Sequence, residues 1–126
     1  INDAYNASPE AVKASIKNLK TYKMGRKIAE LGDMLELGEF SEKLHKDIGD
    51  FVAENGIDIL ICSGINSKYI IDKAIEKGVK DVHYFEKSKQ IVQYLIENVK
   101  KDDVILFKAS NGMKFYQLCD DFIKNL

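Results

Sequence analysis

The stretch Asp58-Ile59-Leu60-Ile61-Cys62 constrains the fold of this chain more than any other. Four apolar residues in a row, closed by Ser63-Gly64, offer no polar face to water. The run therefore reads as a strand covered on both sides, as in a parallel sheet. Parallel neighbours require a crossover, usually a helix, and the chain supplies the parts. Lys27–Leu31, Val82–Phe85 and Val104–Phe107 are further short strand candidates, and the residues before Asn2 resemble the end of another. Between them lie helical periods. Val12, Ile16, Leu19 and Tyr22 follow Pro9, a natural first helical residue. Phe40, Leu44, Ile48, Phe51 and Val52 mark a second stripe ending near Asn55-Gly56. A third helix spans about Ser67 to Lys77, a fourth carries Ile91, Val92, Leu95 and Ile96, and a last carries Phe115, Leu118, Cys119 and Phe122.

This alternation predicts one α/β domain over residues 1–126, a Rossmann-like open, mainly parallel sheet with helices on both faces. The length of 126 residues suits one core and not two. Nineteen basic and twenty acidic side chains nearly cancel, so no basic surplus points to nucleic acid or to an anionic membrane. No apolar run reaches membrane-spanning length. Cys62 and Cys119 lie far apart in apolar runs and read as reduced core thiols of a cytoplasmic protein. The chain opens without Met on what resembles a strand end, which points to a piece of a longer polypeptide.

Ligands of such sheets sit at the carboxyl edge of the strands, where four loops gather. In the first, Asn2-Asp3-Ala4-Tyr5-Asn6-Ala7-Ser8, only Ser8 is needed as a helix cap. Asp3 suits ribose hydroxyls, Asn2 or Asn6 a base edge, and Tyr5 a stacked ring. Asn and Asp also make local turns, and both readings stand at this point. The second loop holds Asp33 and Glu36, with His45 one step along the next helix at the edge of a possible cleft. Their spacing matches no tight metal motif, so a solvated loop and a helix-flank histidine are the expectation, with no metal. The third, Cys62-Ser63-Gly64-Ile65-Asn66-Ser67, reads as a turn and a cap around a buried, unreactive thiol. The fourth, Lys108-Ala109-Ser110-Asn111-Gly112, brings a lysine and a hydroxyl to a helix start. That set suits a carboxylate or phosphate, or equally a snorkelling lysine and a capping serine. The chain contains neither G-x-x-x-x-G-K-[ST] nor G-x-G-x-x-G, so any nucleotide must be held mostly by something else.

The segment NDAYNASPEAVKASI resembles the opening of the C-terminal domain of the Mur ligases, whose pattern there is D-x-Y-N-A-N-P. GDMLELG, followed by Ser41 and His45, is similar to the family's G-D-M-x-E-L-G run and its later histidine. FKASNGMKF stands where the family shows K-G-S-R. Ala109 replaces its Gly, Asn111 its Arg, and Ser8 an Asn of the first motif. The resemblance spans essentially the whole chain, and is strongest to the members that join D-alanyl-D-alanine to UDP-N-acetylmuramoyl-tripeptide.

It implies the closing domain of a three-domain, ATP- and magnesium-dependent amide ligase of peptidoglycan synthesis, inactive alone. Its partners would be its own N-terminal and central domains, the latter holding most of the nucleotide. It further implies that Asn2, Asp3, Tyr5 and Asn6 face the adenosine, while Lys108, Ser110 and Asn111 lie toward the acceptor and phosphate, with no catalytic residue in this fragment. Two other classes fit the sheet. A flavodoxin-like phosphoryl receiver needs an Asp at the end of its third strand, where this chain has Cys62-Ser63. An oligomerisation element would leave the strand-end chemistry without a role.

Overall fold

A computed structural model describes residues 8–108 of the chain. The expected last helix and the strand end before Asn2 lie outside the described residues. Helix α1 (Pro9–Lys20) leads to strand β1 (Lys27–Leu31). A short 3-10 turn (Gly38–Phe40) and helix α2 (Ser41–Glu54) follow. Then come β2 (Ile59–Cys62), α3 (Ser67–Glu76), β3 (Asp81–Tyr84), α4 (Ser88–Asn98) and β4 (Val104–Lys108). The strands form a parallel sheet in the order β3-β2-β1-β4. Ile28 of β1 lies between Ile59 of β2 and Ile105 of β4, and Leu31 between Cys62 and Lys108.

Alternation along the strands divides the core into two layers. Ala29, Leu31, Leu60, Cys62 and Leu106 face α1, α2 and α3, where Ile16, Leu19, Ile48, Val52 and Ile70 pack. Ile28, Ile59, Ile61, Ile105 and Phe107 face the opposite way, onto Ile91 and Leu95 of α4. The expected open α/β sheet with helices on both faces is present, and so are the four strands, within a residue of their expected ends.

Three details of the expected stripes shift. Helix α1 stops at Lys20, leaving Tyr22 exposed. Phe40 lies in the turn before α2 and is exposed, because the buried face of α2 is His45, Ile48, Gly49 and Val52. Gly49 explains that rotation, since a Cβ there would meet the Ile70 carbonyl oxygen at 2.5 Å. Only a bare backbone lets α2 and α3 approach so closely. Ile96 of α4 is also exposed, and only Ile91 and Leu95 of that helix are buried.

Candidate functional site at the carboxyl edge

From β1 the chain moves through α2 to β2 and through α3 to β3, always in one direction. It then crosses back through α4, on the other face, to place β4 on the far side of β1. The chain order reverses between the neighbouring strands β1 and β4, and the carboxyl edge at such a switch point is where open α/β sheets take ligands. The edge is stitched together there. Gly32 N–H donates to the Lys108 carbonyl at 3.1 Å, and Ser63 N–H to that of Leu31 at 3.2 Å. Ser8 opens α1 from this same edge. Its hydroxyl accepts from Ala11 N–H at 3.2 Å, the N-cap expected of it.

The loop Gly32–Gly38 is fixed by two polar anchors. Asp33 Oδ1 accepts the Ser67 N–H at 2.8 Å, at the start of α3. A carboxylate there neutralises an orphan donor and lies at the positive end of the helix dipole. Gly64 makes this possible, because its φ of +105° and the nearness of the Asp33 carboxylate leave no room for a side chain. The second anchor is His45. Its Nε2 accepts the Met34 N–H at 3.0 Å, while Nδ1 donates to the Ser41 carbonyl at 2.7 Å. These partners define the neutral ring with its proton on Nδ1.

The grouping of Asp33, Glu36 and His45 is thus corrected. His45 is buried beneath the loop and not at a cleft edge, because both its nitrogens have main-chain partners. Asp33 is half-buried and reaches sideways to α3, so it is no solvated loop residue. Glu36 alone faces water, on a backbone with φ +63°. The third loop also does more than turn and cap. Asn66 provides no side-chain cap to α3, and Asp33 of the neighbouring loop supplies the acceptor instead.

Lys108 ends β4 and is 2% exposed, so it is not a surface lysine snorkelling into water. By alternation its side chain lies on the face of Leu106. Asn2, Asp3, Tyr5, Asn6, Ser110 and Asn111 lie outside the described residues. At the start of α3 the Ser67 N–H already meets Asp33. No group of three or more His, Cys, Asp and Glu is placed for a metal among the described residues.

One buried acid was missed. Glu30, in the middle of β1, is 0% exposed, and neither carboxylate oxygen has a hydrogen-bond partner. Register sets it between Ile61 and Phe107, on the apolar layer under α4. Burial drives its pKa well above the ordinary carboxylate value, keeping the acid protonated. The signal was an acid interrupting the strand run Ile28-Ala29-Glu30-Leu31. Burial also pushes the Cys62 thiol well up, with the Asp33 carboxylate adding to it, so this cysteine is the inert core group expected.

Known proteins share this sequence and fold. The family described as "Mur ligase, glutamate ligase domain" matches residues 1–111. Over 130 residues the chain is 43% identical to UDP-N-acetylmuramoyl-tripeptide–D-alanyl-D-alanine ligase of Bacillus subtilis (strain 168), covering 99% of this chain and 28% of that protein. Among solved structures, MurF ligase from Thermotoga maritima in complex with ADP matches at TM-score 0.79 and 32% identity, covering 97% of this chain and 27% of the other. MurF from Acinetobacter baumannii matches at TM-score 0.82 and 26% identity, with coverage of 97% and 27%. The chain thus spans little more than a quarter of the length of these relatives. With the family profile matched over most of its length and the fold shared, this chain belongs to the Mur ligase family, to its glutamate ligase domain.

Proposed function

We propose that this chain is the C-terminal closing domain of a three-domain ligase that adds D-alanyl-D-alanine to UDP-N-acetylmuramoyl-tripeptide in peptidoglycan synthesis. The observation that carries the proposal is its 43% identity, over 99% of its length, to a ligase named for that reaction. In the reaction the γ-phosphoryl group of ATP passes to the tripeptide carboxylate, giving an acyl phosphate and ADP. The amine of D-alanyl-D-alanine attacks the acyl carbon, expels phosphate and loses a proton, leaving a new amide. ATP and Mg2+ belong mainly to the central domain, in the cytoplasm, where the UDP-linked substrate is dissolved. A relative with ADP bound supports the nucleotide.

Within that reaction the chain's task is to bind and to exclude water. Asn6 is two residues from Ser8, so at about 3.6 Å per residue it is tethered within about 7 Å of the α1 cap. Asp3 is assigned to the ribose hydroxyls, with Asn2, Tyr5 and Asn6 around the adenosine. Lys108, Ser110 and Asn111 are assigned to the acceptor and phosphate side. Ala109 and Asn111 in place of Gly and Arg weaken close backbone approach and bidentate charge pairing there.

The test is product formation. The longer protein, given the UDP-linked tripeptide, D-alanyl-D-alanine, ATP and Mg2+, is expected to yield the pentapeptide by mass, with ADP and phosphate. Residues 1–126 alone are expected to yield none. Turnover by the isolated domain, or none by the longer protein, would sink the proposal.

A further inference from the structure

Glu30 sits in the middle of the sheet, on the face that α4 covers. Register places it on one rung with Phe107 of β4, Ile61 of β2 and His83 of β3. Strand β1 pairs with a neighbour on each side, so the carboxyl cannot turn to the other face without breaking two ladders. The crossover from β3 to β4 carries α4 over β2 and β1. Lifting that helix is therefore the least disruptive way to bring water to the carboxyl. The helix is lightly held. It buries Ile91 and Leu95, half as many residues as α1 or α2. Tyr94 adds a tilted ring contact with His83 at 4.4 Å, and the Asn98 carbonyl accepts from Arg26 Nη2 at 2.9 Å. The opposite layer is tighter, with α2 against the α3 backbone at Gly49.

Among the described residues, little charge surrounds Glu30. Strands β2 and β4 set Ile61 and Phe107 beside it, and the charged residues of α4, Lys89 and Glu97, are exposed. On β3, His83 is paired with Asp81 and separated from Glu30 by Ile61. Cys62 and Lys108 lie on the opposite face by alternation. Burial by itself raises the pKa of this acid. We propose that α4 lifts from the sheet as a unit while α1, α2 and α3 stay packed, and that ionisation of Glu30 drives the lift, making this layer a pH-sensitive element of the domain. The carboxyl is neutral when covered and gives its proton to water when hydrated. The open form thus holds one proton fewer, and rising pH favours it. The gain is up to about tenfold per pH unit between the ordinary 4.5 and the raised folded value. The anchors of the Gly32–Gly38 loop, Asp33 on α3 and His45 on α2, belong to the other layer and stay in place.

Amide hydrogen exchange of the longer protein, read by mass over a series of pH values, tests this without any ligation assay. Protection factors divide out the pH dependence of the exchange chemistry itself. In the parent, the amides of α4 are expected to be at least about tenfold less protected than those of α1 and α2 at each pH. Their protection is expected to fall by up to about tenfold per pH unit above 4.5. In Glu30→Val, which removes the acid, α4 protection is expected to stay level with pH. Glu30→Gln keeps the size and polarity but cannot ionise, and is expected to be equally flat. Equal protection of α1, α2 and α4 overturns the proposal, because the domain then opens only as a whole. A parent α4 indifferent to pH also overturns it. So does a slope that persists in both variants, since Asp81 and His83 beside Tyr94 are then the groups that titrate.

Discussion

The two edges of the sheet use the same residue types for different ends. At the amino edge each polar group satisfies its immediate surroundings. Arg26 Nε and Nη2 grip both oxygens of Asp103 at 3.0 and 2.7 Å, and Asp103 also accepts the Lys100 N–H. Lys27 Nζ donates to the carbonyls of Met24 and Gly25, and Asp58 takes the Lys27 N–H at 2.7 Å. These contacts close strand β1 against its neighbours. At the carboxyl edge Asp33 and His45 reach across loops, and what they hold is a surface that presents Leu35, Glu36 and Ile65 to water. The amino edge is finished within the domain, whereas the carboxyl edge is a prepared platform. Burial of a polar side chain at either edge marks which backbone must not move.

That contrast can be broken by substitution. The largest effect is expected for His45→Ala, which strips two hydrogen bonds and leaves a hole in the buried face of α2. A loss of about 3 kcal/mol is expected in denaturant unfolding, and in the full ligase a lower kcat/KM. Equal kinetics would detach the loop from function. Glu30 has the opposite sign. Glu30→Val removes an unpartnered carboxyl and is expected to stabilise by roughly 1–3 kcal/mol.

Its pH dependence sharpens the point. The folded state keeps a proton that the unfolded chain releases, so Glu30 makes stability fall as pH rises from its ordinary 4.5 toward the raised folded value. Glu30→Gln is expected to flatten that slope, which urea titrations across pH would measure. Asp103 works the other way. Arg26 holds its pKa down, so its contribution is lost as pH falls through the lowered value. Asp33→Ala is expected to cost about 1–2 kcal/mol, the usual worth of an acidic helix cap. Arg26→Ala is smallest, about 1 kcal/mol and reduced by salt, because the guanidinium is a third exposed.

Much of the fold was written locally. Asp58–Cys62 and Val104–Phe107 declare buried strands because every residue that must pack is apolar, and Ser8-Pro9 announces α1 through cap chemistry. What the sequence hid depends on contacts distant along the chain. His45 looked like a helix flank because nothing in its own turn reveals that the Met34 N–H, eleven residues back, needs an acceptor. Asp33 capping α3 spans 34 residues and depends on Gly64 lacking a side chain. Phe40 was placed in the core by a stripe that Gly49 rotates away from it. The motif GDMLELG was legible as a family mark before its mechanics were. Its Gly32, Asp33 and Met34 hold the edge together, while Leu35 and Glu36 face outward.

The most direct test sets Asp3, the residue proposed for the ribose, against Arg26 of the amino edge with one readout, the KM for ATP of the full ligase. Asp3→Ala is expected to raise it about tenfold, the worth of a hydrogen bond or two to a ribose. Arg26→Ala is expected to leave it unchanged. An ATP requirement untouched by Asp3→Ala, or raised equally by Arg26→Ala, would contradict the assignment of nucleotide contact to the carboxyl edge.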